Sequence, residues 1–283
     1  MYQKFQLTEP IQGAEETVRM PDDTLIYTIS SGSGKTTVLL AHGYGFSNVE
    51  WNIIVPMLNE LNYKTIVFDQ RGHGRSNIGK EGISSKSMAS DYKQLIEHFN
   101  LENCIVVGHS MGGFLAMKFL IDYPEMQQHR VKGCVLMATF AGDVNKKNFQ
   151  NRLQIPMMKL GLLQKLIRNK TIGKLFATSL VGSNPDPELL RAIPAIFLQQ
   201  DHSKLVPILE AFAQESYYSD LHKITIPCVV VIGDKDATTP SFHTNDIVKE
   251  IPNSRRIDLA GKGHCLNAEA PEEIVKAVQI LVE

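Results

Sequence analysis

Chemistry is most legible at Gly108-His109-Ser110-Met111-Gly112-Gly113. The apolar run CIVVG precedes these residues and an apolar helical pattern, MGGFLAMKFLIDY, contains their end and continues past it. A G-x-S-x-G sequence between a strand and a helix makes a sharp turn that exposes the serine hydroxyl at the strand's carboxyl end. Side chains at Gly108 and Gly112 would collide with neighbouring elements. The helix opening after Ser110 aims free N–H groups and a positive dipole end at any negative charge that develops there. Ser110 is therefore the expected nucleophile of an acyl transfer, with the Met111 N–H as one donor to the oxyanion.

A serine hydroxyl needs a base to take its proton, and the base needs a carboxylate to orient it. The motif sets the chain order as serine, acid, histidine. Among nine histidines, His264 alone sits in a glycine-bounded loop (AGKGHC) between the last expected strand and the last expected helix. It is the expected base. His42 opens the turn after the run TVLLA and reads as its brace, while His73 and His109 read as structural. His98, His129, His202, His222 and His243 read as surface or packing residues. Two acids follow the run PCVVVIG. Asp234 comes directly after Gly233, where it would serve the turn. Asp236 lies three residues past Gly233 and four before Pro240. The residues themselves leave both open.

These groups need a frame. Buried-strand patterns occupy residues 37–41, 64–69, 104–108, 131–138 and 227–233, with a weaker one at 256–260. Helical patterns lie between them at 49–61, 87–99, 111–123, 242–251 and 272–282. In 87–99, Met88, Tyr92, Leu95, Ile96 and Phe99 recur at three- and four-residue steps and make one apolar face. Continuous apolar strands alternating with helices imply an α/β protein with a parallel sheet covered on both faces. Residues 15–20 and 24–29, around Pro21-Asp22-Asp23, read as a hairpin at the sheet's edge. From about 140 to 221 the strand pattern stops. Helical fragments rich in Leu, Ile, Met and Phe take over, and a structureless loop of that length is improbable. The segment reads as a helical lid on the sheet's carboxyl edge, with Met157, Leu160, Leu163, Phe176 and Phe197 as candidates for setting substrate size.

Five motifs stand in order at expected strand ends. They are His42-Gly43-Tyr44-Gly45, the run Asp69-Gln70-Arg71-Gly72-His73-Gly74-Arg75-Ser76, GHSMGG, Gly233-Asp234-Lys235-Asp236 and Gly263-His264. In these the chain resembles the α/β-hydrolase superfamily over nearly its whole length. Within it, the chain is similar to the cap-bearing serine esterases, monoglyceride lipases and cofactor-free perhydrolases. The resemblance implies a core of residues 1–139 and 222–283 with a helical cap at 140–221. The family's G-x-x-D-x-x-x-P pattern falls on Asp236 as the triad acid. The residue after His-Gly, here Tyr44, is where the family places the second oxyanion donor. The resembling epoxide hydrolases and haloalkane dehalogenases carry Asp at the elbow, where this chain has Ser110. The resembling carbon–carbon hydrolases usually carry Asn before the nucleophile, where this chain has His109.

The expectation is a serine hydrolase that cleaves carboxylic esters through an acyl-enzyme, acting on a small ester with an apolar moiety and using no cofactor and no metal. The alternatives are a perhydrolase or carbon–carbon hydrolase on the same triad, or a small-ligand receptor that kept the fold. Lys and Arg number 29 against 30 Asp and Glu, a formal charge of −1, so no global basic field gathers nucleic acid or anionic lipid. No apolar run reaches the roughly 18 residues of a membrane span. The start, MYQKFQLTEPIQGAEE, has no apolar leader region, and Cys104, Cys134, Cys228 and Cys265 lack paired or metal-type spacing. Buried free thiols in a reducing cytoplasm are expected. Ser33-Gly34-Lys35-Thr36 looks like the end of a phosphate loop, but the full pattern needs Gly where Ile29 stands and a helix where VLLAHG follows.

Overall fold

Apolar runs without alternation, such as TVLLA, become strands with no solvent face. The strands of the computed structural model are Ala14–Arg19 (β1), Leu25–Ser31 (β2), Thr37–Ala41 (β3), Lys64–Phe68 (β4), Cys104–His109 (β5), Val131–Met137 (β6), Cys228–Gly233 (β7) and Ser254–Leu259 (β8). They form one sheet in the order β1-β2-β4-β3-β5-β6-β7-β8. β1 and β2 pair antiparallel, as does β2 with β4, and every other pairing is parallel. The hairpin expected at one edge is β1–β2. β3, β5 and β7 are buried at every position. The structure describes residues 9–146 and 148–282. The first eight residues of the amino-terminal segment read above lie outside the described residues.

The helices are Ile54–Glu60 (α1), Ser85–His98 (α2), Met111–Asp122 (α3) and Pro124–His129 (α4), then Phe149–Lys159 (α5), Leu162–Ile167 (α6), Lys170–Thr178 (α7), Pro187–Phe197 (α8) and Val206–Gln214 (α9). Ser241–Glu250 (α10), Leu266–Glu269 (α11) and Pro271–Ile280 (α12) complete the chain. Alternate strand residues feed two cores. Leu39, Ala41 and Val106 pack with α2, α3 and α10 on one face. Val38, Leu40, Ile105 and Val107 pack with α1 and α12 on the other. That period of two is what a sheet covered on both faces requires. α2 starts at a capping box in which Ser84 and Ser87 satisfy each other's backbone N–H groups.

Two expectations need correction. The helix expected over 49–61 is a 3-10 turn, Asn48–Trp51, followed by the shorter α1. The break leaves Glu50 buried rather than on a solvated helix face. The short helix α4 follows α3 almost directly and has no counterpart among the expected elements. Residues 140–221 do hold helices and no strand among the described residues, apart from one isolated bridge between Gly142 and Ser216.

Candidate active site

β5 ends and α3 begins on either side of Ser110, whose backbone takes φ 51° and ψ −112°. That conformation is strained for a residue with a Cβ. The surroundings hold it in place. The Ser110 N–H donates to Met137 O at 3.0 Å, and Thr139 Oγ1 donates to Ser110 O at 2.6 Å. Met137 is the last residue of β6 and Thr139 follows it by two positions. Two glycines allow the close packing. A Cβ at Gly112 would lie 2.2 Å from Ala41 O on β3, and one at Gly108 would lie 2.6 Å from the Gly112 backbone.

Asp236 is buried beyond β7. Its Oδ1 accepts the N–H groups of Thr238 and Thr239 at 2.8 and 2.9 Å. Its Oδ2 accepts Thr239 Oγ1–H at 2.6 Å and His264 Nδ1–H at 2.9 Å. Burial pushes the carboxyl pKa up, but the His264 charge, its hydrogen bond and the Thr239 bonds together hold it below the usual range. An ionised Asp236 fixes the proton of His264 on Nδ1 and leaves Nε2 as an acceptor. Asp234 faces outward and accepts the Gly261 N–H at 2.7 Å, a turn contact. Of the two acids, Asp236 is the one brought to His264.

Ser110, His264, Gly43 and Tyr44 line one cavity of about 90 Å³. Among the described residues no hydrogen bond joins Ser110 Oγ to His264; contacts of this kind tighten when substrate is bound. The backbone N–H groups of Tyr44 and Met111 make no hydrogen bond among the described residues. The rest of the wall is mostly apolar, with Asn151, Gln154, Thr238 and His109 as its polar members, and comes largely from the 140–221 segment: Ile155 and Met158 on α5, Phe176 on α7, Phe197 on α8, and Leu209 and Phe212 on α9. Of the five residues expected to set substrate size, Phe176 and Phe197 line the cavity. Leu160 instead stands 71 % exposed, and neither Met157 nor Leu163 reaches the wall.

Residues 36–271 match the family model of the alpha/beta hydrolase fold. The chain belongs to the α/β-hydrolase family. It is 26 % identical over 260 residues to a putative non-heme bromoperoxidase, BpoC, of Mycobacterium tuberculosis, covering 88 % of this chain and 94 % of that one. Its structure is similar to a bromoperoxidase from Bacillus anthracis, with a TM-score of 0.82, 25 % identity and coverage of 95 % of this chain and 99 % of that one. An esterase from Exiguobacterium antarcticum shares the fold with a TM-score of 0.82 at 22 % identity, over 96 % of this chain and 100 % of that one.

This α/β hydrolase carries supporting residues that motif reading missed. Glu50 is the most central. Its Oε2 accepts the Gly43 N–H at 2.8 Å, next to Tyr44. Its Oε1 accepts from His109 Nδ1 at 2.5 Å. His109 Nε2 in turn donates to the His264 backbone carbonyl at 3.0 Å. Both ring nitrogens of His109 face acceptors, so the doubly protonated ring satisfies both. Burial pushes its pKa down, yet the Glu50 charge and hydrogen bond prevail and hold it above the ordinary histidine value. One buried ion pair thus ties the Gly43 turn to the His264 loop. Glu269 does similar work beside it, accepting the Gly182 N–H at 2.7 Å and the Gly263 N–H at 3.1 Å. His202 is not simply a packing residue. It donates Nε2–H to Phe197 O at 2.7 Å and accepts the Tyr44 hydroxyl on Nδ1 at 3.0 Å. The visible signal for Glu50 was the one charged residue inside the largely apolar NVEWNIIVPML.

Among the described residues no three His, Cys, Asp or Glu side chains are grouped to hold a metal ion, and no helix is long and apolar enough to cross a membrane. The four cysteines are free and buried.

Proposed function

We propose that the protein is a serine hydrolase of carboxylic esters whose triad is Ser110, His264 and Asp236. The observation that carries the reading is the hydrogen bond from His264 Nδ1 to the buried Asp236, with His264 on the wall of the same cavity as a serine held in an elbow conformation. His264 Nε2 takes the Ser110 proton as Oγ attacks the ester carbonyl. The N–H groups of Tyr44 and Met111 receive the charge that grows on the carbonyl oxygen. His264 then protonates the leaving alcohol and an acyl group remains on Ser110. Water enters, gives its proton to His264 and releases the acid, and Ser110 recovers its hydrogen. Asp236 balances the positive charge of His264 in both steps.

Residues 140–221 act in this reading as a cap over the site, supplying the apolar wall and excluding water. The cavity's size limits the acyl group. Pockets for drug-sized ligands measure roughly 300–1,000 Å³, and this one is about 90 Å³. Short acyl groups are therefore expected to be preferred. Across a series of p-nitrophenyl esters, kcat/KM should fall about tenfold or more for each methylene that no longer fits. Met158→Ala and Ile155→Ala should move the optimum to longer chains. A wild type that favours octanoate over acetate, or a profile unmoved by either variant, would contradict the cap's role in selection.

A second reading keeps the triad and changes the acceptor. The bromoperoxidase names of two relatives favour it. Hydrogen peroxide attacking the acyl-enzyme in place of water would release a peracid and free Ser110, and a peracid oxidises bromide to hypobromous acid without a metal. Adding peroxide to an esterase assay and measuring peracid separates the two. A receptor that only kept the fold would turn over aryl esters barely or not at all.

A further inference from the structure

Charge and exposed apolar surface are both concentrated in one part of the chain. From Val144 to Pro185 there are eight Lys and Arg residues and no Asp or Glu, although the whole chain is close to neutral. Eight large apolar side chains stand exposed among the described residues, and seven of them fall between Phe149 and Leu175. Phe149, Leu160 and Leu175 are 82 %, 71 % and 64 % exposed. They sit on or at the ends of α5, α6 and α7, which pack one after another. α7 shows the arrangement in small. It buries Gly173, Phe176 and Ala177, and leaves Ile172 and Leu175 outside beside Lys170 and Lys174. Lys159 pairs with Glu210 on α9, but Lys165, Lys170 and Lys174 make no ion pair among the described residues. Arg168, Lys170, Lys174 and Arg191 also rim a groove of about 560 Å³ whose floor is Ile167, Leu190, Pro194 and Leu198.

Single exposed apolar residues need no explanation, but a cluster rimmed by charge of one sign marks an interaction surface. Its occupant must accept Leu and Phe side chains and supply diffuse negative charge. A lipid surface with anionic headgroups does both: apolar side chains enter the acyl boundary and cations stay at headgroup level. We propose that α5, α6 and α7 form a face that docks the protein peripherally on an anionic lipid surface. The near-zero net charge hid this because the acids lie elsewhere in the chain. Phe176 and Met158, on the inner sides of α7 and α5, line the candidate active site, so docking would seat the cap's outer helices on lipid.

Flotation with phosphatidylcholine vesicles, with and without phosphatidylglycerol, tests the proposal on the full chain. Wild type should float with the anionic vesicles at low salt, float weakly with the neutral ones, and be released at about 0.5 M salt, where charges are screened within a few ångströms. Each cation near the surface contributes about a fivefold gain in partitioning, so the triple variant Lys165→Gln, Lys170→Gln, Lys174→Gln should bind roughly a hundredfold more weakly. Leu160→Ser with Leu175→Ser, both at exposed positions, should also weaken binding without lowering the melting temperature. Absence of wild-type binding, equal binding to neutral vesicles, or undiminished binding by both variants would overturn the proposal. A wild-type dimer that becomes monomeric on Leu160→Ser with Leu175→Ser would overturn it too, because a second copy would then cover the face.

Discussion

Ser110→Ala is expected to lower kcat for a short aryl ester by about 10⁶, to the residual rate left by oxyanion stabilisation and binding alone. The fold should survive, because the Ser110 hydroxyl makes no bond on which the elbow depends. The turn is held through the Ser110 N–H to Met137 O and through Thr139 Oγ1 to Ser110 O, both of which engage the Ser110 backbone and not its hydroxyl. The same variant should lose all labelling by a fluorophosphonate, which reacts only with an activated serine. Stopped assays with protein at high concentration, alongside thermal melting, check both halves. Activity retained within a few-fold would remove Ser110 from the mechanism.

The second large effect separates the two acids. Asp236→Asn is expected to lower kcat by about 10⁴. An amide at this position offers His264 Nδ1 either an N–H, which forces the wrong tautomer, or an uncharged oxygen, which cannot balance an imidazolium. KM should change little, since Asp236 is buried and does not line the cavity. Asp234→Asn retains an acceptor for the Gly261 N–H and should cost little activity. Steady-state kinetics of the two variants side by side decide it, and the reverse ranking would reassign the acid.

The sheet was legible because buried parallel strands are written as unbroken apolar runs. β3 has the bounds that TVLLA suggested, and the other strands differ by a residue or two at their ends. The elbow was legible because one short motif must sit between a strand and a helix, and β5 and α3 meet at Ser110. Three things were not. Glu50 is separated from His109 by 59 positions, and only folding brings the two side chains together. The 49–61 region keeps an apolar pattern through a 3-10 turn, because burial on both sides of Trp51 masks the change of period. In α5, α6 and α7 apolar residues lie on the outer side as well as the inner one, so helical periodicity does not say which face is buried. That is why the pattern offers Leu160 as a candidate for setting substrate size and not Met158, although Met158 is the one that lines the cavity. The same double-sidedness, read with the run of cations, is the basis of the lipid-docking proposal.

The most direct test of the central claim is to trap the acyl-enzyme. The full-length protein is mixed with p-nitrophenyl acetate, quenched in acid within the first turnover, digested and mapped by mass. A burst of nitrophenol stoichiometric with enzyme is expected, together with an acetyl group on the peptide containing GHSMGG, localised to Ser110. Ester turnover with no acyl group on Ser110, or with the acyl group on another residue, would contradict the account.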